Sequence, residues 1–120
     1  MRYILLIYQN TEAWNAMSQE DKEVLMHSAG DLVEELTASG ELVGGEGLAD
    51  ASQARSTHVR DGVVTVTDGP FLEAKEALAG FCLVDVATPQ RAEEIAARWP
   101  DAQYWGMEIR ALMHGGGEEG

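Results

Sequence analysis

The residues best suited to chemistry in this 120-residue chain gather in one stretch, Asp68-Gly69-Pro70-Phe71-Leu72-Glu73-Ala74-Lys75-Glu76. Gly69 permits a sharp turn, and the ring of Pro70 fixes the backbone for a turn or a helical start. Asp68 is expected to accept hydrogen bonds from the amides just beyond it, and Phe71 to anchor the segment on the core. Two readings of the remaining charges stand side by side. In one, Glu73, Lys75 and Glu76 form the solvated or ion-paired face of a capped turn. In the other, Asp68, Glu73, Lys75 and Glu76 surround a cleft and bind a small polar ligand, since loops held on rigid sheets often carry sites. Arg110 joins these candidates as one of the few cations in an acidic chain, with Arg55 and Arg60. Its alternation with Glu108 predicts mutual pairing, and anion binding in the cleft is the sharper alternative. Carboxylates beside Lys75 would also suit a weak hydrolase or lyase, provided burial separates their pKa values.

Other chemistries find less support. His27, His58 and His114 show no helical i, i+4 pairing and no carboxylate-flanked motif, so no metal site is expected. Cys82 lies in an apolar run, where a buried thiol stays protonated and inert. Gly44-Gly45-Glu46-Gly47 lacks the spacing and the lysine of a phosphate loop, and no cofactor motif is present. Trp14 and Trp105 fit core or dimer packing better than a pocket wall. Eight basic against twenty-one acidic side chains leave a net charge of −13. That balance excludes nucleic-acid backbones and anionic membranes as partners. The apolar opening Tyr3–Tyr8 is too short to span a bilayer, so a soluble, cytoplasmic protein is expected.

The elements that must position these residues follow from pattern. Residues 3–8 read as a strand covered on both faces. Ser18 caps a helix whose inner stripe is Leu25, Ala29, Leu32, Val33 and Leu36, and Gly40 stops it. Gly30 inside that helix marks either a close backbone approach or a tolerated cost. A short strand is expected near 43–48. Ser56–Arg60 and Val63–Thr67 flank Asp61-Gly62, the dipeptide of a type I′ hairpin turn. Ala79–Val86 forms a further strand. Thr88-Pro89 then opens a second helix with Ala92, Ile95, Ala96 and Trp99 inward and Pro100 as its end. Tyr104–Leu112 closes the chain as a strand, and 115–120 is a Gly/Glu tail with nothing to bury. Two split β-α-β halves predict one α+β domain over residues 1–114, a ferredoxin-like antiparallel sheet with two helices on one face. The other sheet face is apolar in both the first strand and the 79–86 strand. A second copy of that face is its expected cover, giving a homodimer.

The 68–76 stretch resembles the signature of the DGPF (DGPFAETKE) proteins, within the wider YCII-related family. Seven of its nine positions match, Leu72 and Ala74 being the departures. The resemblance extends to the Leu-Leu-Ile-Tyr opening, Glu34-Glu35-Leu36 before Gly40, Asp61-Gly62, Gly80-Phe81 and Glu108-Ile109-Arg110. It implies a dimeric α/β barrel and no particular reaction, the family being largely uncharacterised. Such proteins are often encoded beside sigma factors of the extracytoplasmic-function type, which implies a regulatory accessory with a protein partner as an alternative role. The acidic surface suits a basic partner whose complex would weaken with salt. The wider family shares a histidine on the first helix and an aspartate before the proline after the second, proposed as a catalytic pair. Those places fall on Ala29 and Trp99 here, so the titratable groups are missing. His27 projects about 200° around the helix from Ala29 and cannot substitute without a register shift.

Overall fold

Strand β1 (Arg2–Gln9) alternates along its length, and the direction of each side chain decides the layering of the molecule. Leu5 is fully buried, with Tyr3 and Ile7 on the same side of the strand, against the helices. Arg2, Ile4, Leu6 and Tyr8 therefore point to the other face. This architecture comes from a computed structural model that describes residues 1–72 and 74–114, leaving Glu73 and the 115–120 tail outside the described residues. After β1 come α1 (Thr11–Ala16), α2 (Gln19–Ser39), β2 (Leu42–Gly47), a 3-10 turn at Ala51–Gln53, β3 (Arg55–Arg60) and β4 (Val63–Asp68). β5 (Ala77–Asp85), α3 (Pro89–Arg98), α4 (Asp101–Tyr104) and β6 (Met107–Ala111) complete the chain.

The main sheet has four strands in the order β2-β5-β1-β6, antiparallel throughout. This is the α+β, ferredoxin-like arrangement expected. Both long helices pack on one face, where Leu32, Leu36, Ala92, Ile95, Ala96 and Trp99 meet Leu5, Cys82, Val84 and Val86. Two arginine forks fasten that layer. Arg98 donates to both Glu35 carboxylate oxygens at 2.7 Å, and Arg91 donates to Glu41 at 2.8 and 2.9 Å.

Local chemistry sets the element ends. The Ser18 hydroxyl accepts the Asp21 amide at 3.0 Å, and Gly40 closes α2 at φ 80°. Thr88 accepts the Arg91 amide, with Pro89 in the first turn. Asp61 and Gly62 both take positive φ, 51° and 78°, as a type I′ turn demands. The glycines of β2 let it close on β5. A side-chain carbon at Gly45 would stand 2.6 Å from the Phe81 carbonyl oxygen.

The structure departs from expectation in several places. The chain forms α1 after β1, with the Asn10 side chain accepting the Ala13 amide at 2.8 Å. α3 ends at Arg98, ahead of Pro100 as expected, but Pro100 then opens a further short helix, α4, since a first helical turn needs no proline N–H. Tyr104 and Trp105 consequently stand outside β6, their rings 5.3 Å apart. Val33 is exposed rather than part of the core stripe, and Gly30 faces open space, so α2 bears its cost there. β5 begins two residues early because a bulge opposite Ile7/Tyr8 lets Ala77 and Leu78 pair with Gln9 and Tyr8.

Candidate functional site

Three adjoining clefts meet near the end of β1, two of them lined by residues of the 70–76 segment, and all three are lined by Ala51 and Ala77. They converge because three pieces of chain meet at the end of β1: the first turn of α1, the loop from Leu48 to Ala54, and the segment leading into β5. The first cleft, of about 540 Å³, lies among Asn10, Thr11, Glu12, Ser52, Pro70 and Lys75. The second, of about 750 Å³, runs from Tyr8 past Leu48, Asp50 and Arg55 to Phe71, Leu72 and Glu76. The third, of about 230 Å³, reaches under Gln9, Thr11 and Trp14. Small and apolar residues form much of the floor, while charges of both signs stand at the margins. That is the usual composition of a small-molecule site: apolar walls with a few placed polar groups.

Asp50 holds the junction together. Its carboxylate accepts the Thr11 hydroxyl at 3.1 Å and the Ser52 amide at 2.9 Å. Hydrogen bonds from the Ser52 hydroxyl and amide, then from Thr11, hold its pKa below the usual carboxylate value. Asp50 thus presents a negative charge in the second and third clefts. Tyr8 closes one end of the second cleft. Burial, followed by its 3.2 Å hydrogen bond to Glu108 and that group's charge, pushes its phenol pKa upward. Trp14 carries the Lys22 ammonium 5.4 Å above its ring, which steadies α1 on the start of α2.

The turn of the signature is built differently from expectation. The Gly69 amide donates to the Ala54 carbonyl at 2.7 Å, and the buried Ser56 hydroxyl donates to the Gly69 carbonyl at 2.8 Å. Gly69 has φ 99°, a conformation that favours glycine. Among the described residues, no amide reaches the Asp68 carboxylate; Asp68 ends β4 opposite Arg55. Phe71 does not anchor on the core. It is 67% exposed and lies against the His58 ring, with centroids 5.1 Å apart.

Of the sequence candidates, Lys75 lines the first cleft and Glu76 the second. Glu73 lies outside the described residues. Arg110 donates to Glu108 at 2.8 Å on the open sheet face, and neither it nor Asp68 lines any of the three clefts. Among the three weighed arginines, Arg55 lines the second cleft. Sequence reasoning missed Tyr8, Thr11 and Asp50. The signals were present in Asn10-Thr11 as a helix start and Asp50-Ala51-Ser52 as a side-chain-capped turn, yet neither is tied to a long periodic element.

An apolar cavity of about 420 Å³ lies apart from these clefts, bordered by Ile7, Val33, Leu42, Phe81, Cys82 and Trp99. Burial raises the Cys82 thiol to about 11, so it stays protonated at neutral pH. No described helix is long and apolar enough to cross a membrane.

The chain is similar to an uncharacterised protein of Rhizobium meliloti (strain 1021), with 31% identity over 96 residues. That match covers 80% of this chain and 77% of the relative. The YCII-related domain matches residues 1–114, and the chain belongs to the YCII-related domain family.

Proposed function

We propose that this protein binds a small polar molecule in the joined clefts beside Asp68–Glu76, and that it does so as a homodimer joined through the open sheet face into a dimeric α/β barrel. The observation that carries the ligand reading is the convergence of three clefts on Ala51 and Ala77. Lys75 and Arg55 offer cations there, while Glu12, Asp50 and Glu76 offer anions. Such a mixed rim over an apolar floor suits a molecule with both an anionic group and hydrogen-bond donors. The dimer reading draws on Ile4, Leu6, Phe81 and Leu83. These pair across β1 and β5 on the face opposite the helices, and all four are only half-buried.

Native mass spectrometry of gently purified protein tests both parts, first alone and then with a mixture of amino acids and short hydroxy- and dicarboxylic acids. The expected spectrum has a two-chain mass and one adduct per chain, and Lys75→Ala weakens that adduct by about tenfold through loss of a charge-assisted contact. A single-chain mass overturns the dimer. The absence of any adduct, or adducts indifferent to Lys75, overturns the site.

A further inference from the structure

The β3–β4 hairpin forms a two-stranded sheet of its own, separate from the main sheet. Its register sorts its side chains into two unlike faces. Thr57 pairs with Val66 and Val59 with Val64, so these four residues share one face. Ser56, His58, Arg60, Val63, Thr65 and Thr67 form the other, where Ser56 holds the signature turn and His58 meets Phe71. The first face is apolar and bare: Val59 and Val64 are each 62% exposed and Val66 56%. A lone two-stranded ribbon is marginal in water, and this one leaves its valines uncovered.

We infer that the valine face of this ribbon packs against a second copy of the same chain. The inference rests on the homodimer proposed above and adds a second contact region to it. Three observations select a second copy as the occupant. First, the molecule is a slab measuring 46 × 44 × 18 Å, so the ribbon widens the slab instead of folding over it. Second, the end of the ribbon at Arg55–Thr57 borders the same cleft as Tyr8 of the open sheet face, so the two surfaces lie side by side. Third, both surfaces carry little net charge within a chain of net charge −13. Residues 55–68 hold two arginines against two aspartates, and the sheet face carries the Arg2–Asp85 and Arg110–Glu108 pairs at its margins, leaving Glu46 on the β2 edge as its one uncompensated charge among the described residues. A self-contacting surface must hold little uncompensated like charge, and a basic protein partner would need the opposite.

Size points the same way. Four strands about 4.8 Å apart and about 23 Å long present roughly 450 Å² of open sheet. A standard interface buries about 800 Å² per partner. One face of a ribbon about 20 Å long and 10 Å wide adds roughly 200 Å², which makes up more than half of the shortfall.

Sedimentation velocity of the full chain across a dilution series tests the inference. Val64→Glu with Val66→Glu should raise the dimer dissociation constant by about tenfold or more. The paired Val64→Thr and Val66→Thr, which keep strand propensity, should shift it in the same direction and less far. Val63→Glu, on the other ribbon face, should leave it within about twofold, a margin set by the small effect of an ordinary surface change. Far-UV circular dichroism confirms folding for each. An unmoved constant in both valine-face variants overturns the ribbon contact while leaving the sheet-face dimer standing, and so does an equal response to Val63→Glu. Leu6→Glu probes the sheet face separately: a dimer that survives it but not the ribbon variants overturns the sheet-face reading alone. A monomeric wild type overturns both.

Discussion

Asp101 and Glu41 are two carboxylates that the fold treats in opposite ways. Asp101 is buried, and the loss of solvent raises its pKa despite a 2.8 Å hydrogen bond from the Gln9 amide group. Its charged form is thus disfavoured in the folded state, and stability falls as pH climbs from the ordinary carboxylate range through the raised value. Asp101→Asn keeps an acceptor for Gln9 and removes the charge. Denaturant titrations should show it more stable than wild type at pH 7, with the difference shrinking below pH 4. Glu41 runs the other way. The Arg91 fork lowers it to about 2, so its contribution is present above about pH 4.5 and is lost as pH falls towards 2. Glu41→Gln should flatten that acid limb of the stability curve. The inertness of Cys82 was legible from its place in an alternating apolar strand, whereas the exposure of Phe71 was not. An aromatic residue beside a turn reads as an anchor, and only the tertiary position of His58 shows that its partner lies on the hairpin.

At the scale of elements, glycines separate the positions that need them from those that do not. Gly30→Ala in α2 meets open space and should stabilise the protein by about 0.5–1 kcal/mol, read from denaturant midpoints. Gly45→Ala drives a carbon against the Phe81 carbonyl and should destabilise by about 1–3 kcal/mol. Ser56→Ala should lose about 1–2 kcal/mol, because the carbonyl of Gly69 then lacks the donor that fixes the signature turn. The caps at Ser18, Gly40 and Thr88 and the Asp61-Gly62 turn could be read in advance, because each is set by chemistry within four residues. The short helices α1 and α4 could not. Six and four residues carry no periodic signal, and their formation depends on packing at the ends of β1 and α3.

For the whole molecule, the apolar character of both faces of β1 and β5 pointed to a helix-covered layer and a second, bare apolar face, and the split β-α-β order pointed to the sheet. The clefts were only half legible. Lys75 and Glu76 belong to a conspicuous segment, but Tyr8, Thr11 and Asp50 reach the same place through long-range packing. Like-charge repulsion between chains of net −13 should oppose the proposed dimer at low salt. Its dissociation constant should therefore fall as ionic strength rises, the reverse of a complex with a basic partner. The proposed ligand site lies in the joined clefts lined by Ala51 and Ala77. The most direct test is amide chemical-shift mapping of ¹⁵N-labelled protein titrated with small zwitterions and carboxylic acids. Saturable shifts are expected to cluster at Thr11, Asp50–Ser52 and Lys75–Ala77. Shifts clustered around Val33 and Trp99 instead, or no saturable shift from any of these molecules, would contradict this site.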